Sequence, residues 1–298
     1  MDINFNMQCK LCGREAVFKS RGIRWCRDCF EKFYLKKVED TISKYRMFNK
    51  DSKVCVAVSG GEDSAALAHA LKRLGYNITL LHIHLNIEGY SDQVLEIVEK
   101  QAEIIGAPLH VEYLEKYGLK VQRVGYRPPC AVCGVFKRYL MNKFACENNF
   151  DVICTGHTID DLTAFLFSAI LTWDIDTMNK LRPFQPSSVE NLKPKAKPLA
   201  FLLDKENAFY AKLNGLPIAD AKCPFELTSK VKLYKKRLRR IDPRESFRLR
   251  WYKVFLNNFP FREESRSFKK CMVCGFPTVA DKCSFCRIKE LFQRYQTP

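Results

Sequence analysis

Three things are scarce in this sequence. No apolar stretch approaches the roughly 20 residues a helix needs to cross a bilayer, which argues against a membrane-spanning chain. The first ten residues, MDINFNMQCK, lack the basic-then-apolar plan of a signal peptide, so a soluble, cytoplasmic protein is expected. Acidic side chains are few: 33 Asp+Glu stand against 50 Lys+Arg, a formal charge of +17 over 298 residues. Such a surplus favours a polyanionic partner, most simply a nucleic acid. Core material is not scarce: 47% of residues are hydrophobic and 12% aromatic, which excludes a disordered chain and suffices for one large domain with accessories.

Cysteine is abundant, with 14 residues. Disulfides are rare in a reducing compartment, so close cysteine pairs argue for metal binding or catalysis. Cys9, Cys12, Cys26 and Cys29 form C-x2-C-x13-C-x2-C, and Cys271, Cys274, Cys283 and Cys286 form C-x2-C-x8-C-x2-C. Two knuckles aim four thiolates at one tetrahedral centre, which suits structural zinc at each end of the chain. Cys55 and Cys154 sit in strand-like runs and read as core, while Cys146 carries no functional signal.

Between the terminal modules the pattern alternates. Residues 30–48 read as an amphipathic helix, 54–58 as a strand buried on both faces, and 65–74 as a helix ending at Gly75. Strands at 78–85, 109–113 and 151–155 then alternate with helices at 91–105, 134–147 and 160–171, and the proline-rich stretch 183–198 reads as an irregular crossing loop. Alternation of this kind predicts a doubly wound parallel sheet with its ligand at the carboxyl ends of the strands.

Ser59-Gly60-Gly61-Glu62-Asp63-Ser64 lies at the first strand-to-helix turn. Glycines let the backbone curl around an anion, the two hydroxyls add donors, and the helix start offers free N–H groups, so the loop is suited to pyrophosphate. It is neither a Walker A loop nor a dinucleotide-binding glycine fingerprint. Asp160 and Asp161, in Gly156-His157-Thr158-Ile159-Asp160-Asp161, could position Mg2+ or act as a general base; the plainer alternative is a helix cap using Thr158 and Asp160. His82, His84 and His110 read as structural. Cys130 and Cys133, with Cys223 about ninety residues on, suggest an incompletely ligated metal centre, although a redox pair plus an ordinary buried cysteine fits the spacing too. Finally, residues 229–270 hold 15 basic and 4 acidic residues. Lys235, Lys236, Arg237, Arg239, Arg240, Arg244, Arg248 and Arg250 interleave there with Tyr234, Phe247, Trp251, Tyr252 and Phe255, a composition suited to phosphates and unpaired bases.

The ordered set of a four-cysteine module, SGGxDS, PxxCxxC followed by Lys137-Arg138-Tyr139, GHxxDD, an isolated Cys223-Pro224-Phe225 and a second four-cysteine module resembles the TtuA-type tRNA 2-thiouridine synthetases, and spans nearly the whole chain. These belong to a wider group with the TtcA-type cytidine thiolases and the eukaryotic wobble-uridine thiolation enzymes. The resemblance implies an α/β PP-loop (adenine nucleotide alpha hydrolase-like) fold, a doubly wound parallel sheet flanked by N- and C-terminal zinc-finger modules. It divides the chain into a zinc finger (1–30), a linking helix (31–50), an ATP pyrophosphatase domain (51–228), a basic tRNA-binding helical segment (229–270) and a second zinc finger (271–298). It implies that Ala57, Ser59, Gly60, Gly61, Asp63, Ser64, Ile83, Lys137 and Gly156 hold ATP, with Mg2+ as companion. Cys130, Cys133 and Cys223 would bind a 4Fe-4S cluster, with Lys137, Asp161 and Asp63 catalytic. The implied reaction is ATP-dependent adenylation of O2 of a tRNA uridine and its replacement by sulfide, the sulfur coming from a ubiquitin-like thiocarboxylate carrier or free sulfide, in a homodimer. The loop departs from the usual pattern in carrying Glu62. Two other readings fit the same motifs: a cluster-free thiolase using a cysteine persulfide, and a non-enzymatic zinc-ribbon RNA-binding protein.

Overall fold

The computed structural model describes residues 8–226, 230–243, 245–261 and 268–294. A hairpin of β1 (Phe18–Ser20) and β2 (Ile23–Trp25) leads into helix α1 (Arg27–Lys44). The alternating part runs β3 (Lys53–Val58), α2 (Glu62–Arg73), β4 (Asn77–His84), α3 (Ser91–Ile105), β5 (Leu109–Tyr113), α4 (Pro129–Glu147), β6 (Val152–Cys154) and α5 (Ile159–Leu171). Then come α6 (Ile175–Asn179), β7 (Phe184–Gln185), β8 (Lys195–Ala196), α7 (Asp204–Leu213), α8 (Lys230–Ile241) and α9 (Ser246–Asn258). A ribbon of β9 (Lys269–Lys270) and β10 (Pro277–Thr278) precedes α10 (Ser284–Arg294).

The main sheet has six strands in the order β5-β4-β3-β6-β8-β7, all parallel except β7, which pairs antiparallel with β8. Alternation along β3 explains its unbroken apolar run. Val54, Val56 and Val58 face a core shared with α1, α2 and α7, whereas Cys55 faces one shared with α4 and α10. Strand order reverses between β3, whose chain next builds β4 and β5, and β6 on its other side. The crevice beyond the carboxyl ends of β3 and β6 is therefore the switch point where this sheet type binds ligands.

Two expectations change in detail. Residues 183–198 are not wholly irregular, because β7 and β8 lie within them and extend the sheet edge. The helix expected from residue 134 begins at Pro129, since proline at the first helical position has the right φ and no N–H to leave unpaired. That shift places Cys130 and Cys133 on the first turns of α4 rather than in a preceding loop. Among the described residues, no helix is long and apolar enough to cross a membrane.

Candidate active site

Two glycines shape the loop after β3. Gly60 has φ +78°, and a Cβ there would approach Val94 Cγ1 to 3.0 Å and Ala219 Cβ to 3.3 Å, so any side chain meets both backbone strain and a wall. A Cβ on Gly156, after β6, would lie 3.0 Å from both the Asp63 carbonyl carbon and the Ser64 nitrogen, backbone atoms that cannot rotate away. Close approach of the two strand ends thus depends on Gly156. Ser64 Oγ locks the turn, accepting from the Ser59 N–H at 3.1 Å and donating to the Gly61 carbonyl at 3.1 Å. Gly61 caps α2 without a side-chain acceptor, which leaves first-turn N–H groups available to an anion.

A cavity of about 470 Å3 opens here, lined by Ala57, Ser59, Asp63, Ser64, Ile83, Lys137, Gly156 and Asp161. Gly60 and Gly61 shape the loop behind it. His82 also lines it; its Nδ1–H donates to the Val58 carbonyl at 3.1 Å, and burial pushes its pKa down to about 4, so the ring is neutral.

One wall is acidic. Asp63, Asp161 and Asp204 each place an oxygen within 4.8 Å of the others. Burial and the neighbouring Asp204 and Asp161 carboxylates push the Asp63 carboxyl up to about 8, against the bond it accepts from Asn207 Nδ2 at 2.7 Å. Burial opposes ionisation of Asp161 most strongly, but the Lys235 ammonium, His157 and the Thr158 N–H together hold that carboxyl below its usual range. Lys235 Nζ lies 2.5 Å from Asp161 Oδ1 and 3.0 Å from Asp204 Oδ2. The helix-cap alternative holds alongside, with a corrected partner: Thr158 and Asp161, not Asp160, form the capping box of α5. Asp161 thus uses Oδ2 for the cap and Oδ1 for the cavity. Asp160 turns away to Arg248, a buried pair.

The three central cysteines lie near one another at the N-terminal end of α4, though their sulfurs do not all fall within 4.8 Å of one another among the described residues. Cys130 Sγ donates to the Phe225 carbonyl at 3.1 Å, tying the first turn of α4 to the segment carrying Cys223. Burial pushes the Cys133 thiol up, Lys137 pulls it down, and Cys223 and Cys130 add to the rise, so all three thiols and the lysine share one electrostatic neighbourhood. A single tetrahedral zinc would draw its sulfurs to about 3.8 Å, given Zn–S bonds of about 2.3 Å. The terminal modules match that spacing: each gathers four thiols within 4.8 Å, with Cys12 to Cys26 at 3.5 Å and Cys274 to Cys283 at 3.7 Å. Cys130, Cys133 and Cys223 form no such knot among the described residues. Three partly exposed thiols beside a cation fit a 4Fe-4S cluster.

Each terminal module braces one helix of the site. Phe285 of α10 stacks on Tyr139 of α4 with centroids 3.9 Å apart. Phe18 of β1 stacks on Phe209 of α7 at 4.2 Å, and Arg21 donates to the buried Glu206 and to the Phe201 carbonyl. That fixes the first turn of α7, which carries Asp204 and Asn207.

Residues 32–174 match the family described as a PP-loop domain. The tRNA-5-methyluridine(54) 2-sulfurtransferase of Thermotoga maritima is 38% identical over 297 residues, covering 97% of this chain and 98% of its own. The chain belongs to this tRNA 2-sulfurtransferase family. Its namesake from Pyrococcus horikoshii is 39% identical over 290 residues, covering 94% of this chain and 93% of its own. The U34-tRNA thiolase NcsA from Methanococcus maripaludis, solved with its 4Fe-4S cluster, superposes with a TM-score of 0.81 at 22% identity over 95% of this chain and 96% of that one, which shows a shared fold.

For this family member the basic segment needs correcting. Lys235, Arg239 and Arg248 are not left free for nucleic acid: they pair with Asp161, Asp204, Asp160 and Asp242. Tyr252 is fully buried, so it packs rather than stacks on bases. Lys236, Arg237, Arg240 and Arg250 are exposed, and Arg244 lies outside the described residues. Asp204 and Asn207 escaped the sequence reading, because they follow a chain reversal with no motif around them. No helix was expected over 204–213, so their only signal was an acidic residue, Asp204, of a type suited to a helix start.

Proposed function

We propose that this 2-sulfurtransferase acts on 5-methyluridine 54 of tRNA, in the T-loop, as its named relatives do. The observation that carries the mechanism is the face of α4: Cys130, Cys133 and Lys137 follow helical spacing, so one rigid helix joins the thiol centre to the nucleotide cavity. Ser59, Gly60, Gly61 and Ser64 cradle the phosphates of ATP, with Ala57, Ile83 and Gly156 flanking the nucleoside. Lys137 offsets phosphate charge, and Asp63 and Asp161 hold Mg2+ or orient the acceptor. O2 of the uridine attacks the α-phosphorus, an O–P bond forms, the α–β bridge breaks and pyrophosphate leaves. Sulfide then attacks C2, the C2–O2 bond breaks, and AMP departs with that oxygen. A 4Fe-4S cluster bound by Cys130, Cys133 and Cys223 would keep one iron open to carry sulfide. Zinc in the terminal modules, the five-part domain division, an external sulfur carrier or free sulfide, a homodimer and a cytoplasmic setting complete the proposal.

Iron content and nucleoside analysis test it together. Anaerobically purified protein should carry iron and convert 5-methyluridine 54 to its 2-thio form, and Cys133→Ala should lose sulfur transfer while keeping tRNA affinity. Thiolation by an iron-free preparation would overturn the cluster and favour a persulfide.

A further inference from the structure

We propose that Lys235, carried on the basic helix α8, is a further catalytic residue that binds the phosphates of ATP. The proposal rests on the ATP-dependent reading above and deepens it. Along α8 the neighbouring Lys236, Arg237 and Arg240 are exposed, whereas the Lys235 side chain is 16% exposed and lines the nucleotide cavity with Ser59, Asp63 and Lys137. A cavity that takes a polyanion needs cations, yet Asp63 and Asp161 line this wall, with Asp204 close behind them. Among the described residues lining it, the other cations are Lys137 and Lys232, and Lys232 is exposed and paired with Glu226.

Lys235 is also the cation whose short displacement leaves each acid a remaining partner. Asp204 would keep Arg239, whose Nη2 lies 2.5 Å from it, and Asp161 would keep the Thr158 N–H at 3.0 Å. Arg248, by contrast, is buried between Asp160 and Asp242 and has nowhere to go. In the nucleotide-free chain Lys235 therefore rests on Asp161 and Asp204, and ATP draws its ammonium a short distance onto the phosphates.

Calorimetric titration with Mg-ATP tests this. Lys235→Gln should weaken ATP binding about ten- to hundredfold, the value of a charged hydrogen bond, while Lys100→Gln, exposed on α3, leaves it unchanged. Equal affinity in a Lys235→Gln protein that melts like wild type overturns the proposal. Should that variant not fold, the wild-type chain carries the test through an acyl-phosphate ATP analogue, whose acyl carbon is attacked by a nearby lysine amine, forming an amide and releasing the nucleotide. Labelling of Lys235 supports the proposal, and labelling confined to Lys137 overturns it. Wild-type protein that binds no ATP would instead sink the ATP-dependent reading itself.

Discussion

At Gly156 a missing side chain lets the segment after β6 lie against the first turn of α2, and the contact is backbone to backbone. Gly156→Ala should therefore cost about 1–3 kcal/mol of stability by overpacking, and weaken ATP binding further by prying Ser64 out of its turn. Urea unfolding and an ATP titration measure the two effects. Asp63 offers a second test. Its carboxyl is pushed up to about 8 by burial beside Asp204 and Asp161, whereas in an unfolded chain it ionises near about 4. Between those values the folded chain holds a proton that the unfolded chain has lost, so stability falls as pH rises from about 4 to about 8. Asp63→Asn should raise the melting temperature of nucleotide-free protein at pH 8 and make little difference near pH 4; a constant offset across that range would contradict the assignment. SGGEDS made Asp63 legible. Asn207 was not, since its value lies in a bond to Asp63 across 144 positions of sequence.

Among the elements, α4 and α7 carry residues of the proposed site and each leans on a terminal module. Phe285 is 4% exposed and stacks on Tyr139, so Phe285→Ala should cost about 3–5 kcal/mol locally and loosen the turn bearing Cys130 and Cys133. Iron content should fall in that variant while ATP affinity changes little; intact iron at normal occupancy would show that α4 stands without the brace. Cysteine spacing made both modules legible, and apolar runs made β3 and β4 legible to within a residue. What the modules brace was hidden, because stacking partners such as Phe18 and Phe209 share no local pattern. The strands β7 and β8 were missed for a related reason: two residues each among prolines give no period to read.

For the molecule as a whole, the charge surplus was visible but its orientation was not. Lys235, Arg239 and Arg248 are taken up by carboxylates, which leaves Lys236, Arg237, Arg240 and Arg250 outside for phosphate. Reversing Lys236, Arg237 and Arg240 together should weaken tRNA binding and reduce the slope of log affinity against log salt by about one for each phosphate these side chains neutralise. A slope equal to wild type would place the tRNA on another face. Fold and reaction class were legible because ordered motifs fix the crevice, while the division of α8 into an inner and an outer face needed the three-dimensional partners of each cation. The most direct test of the account is anaerobic turnover of the iron-containing protein with tRNA that carries unthiolated 5-methyluridine at position 54, ATP and sulfide, reading pyrophosphate and nucleosides together. One pyrophosphate released per 2-thiolated 5-methyluridine at position 54 is the predicted result; pyrophosphate release with no sulfur in the tRNA, or sulfur transfer without ATP, would contradict it.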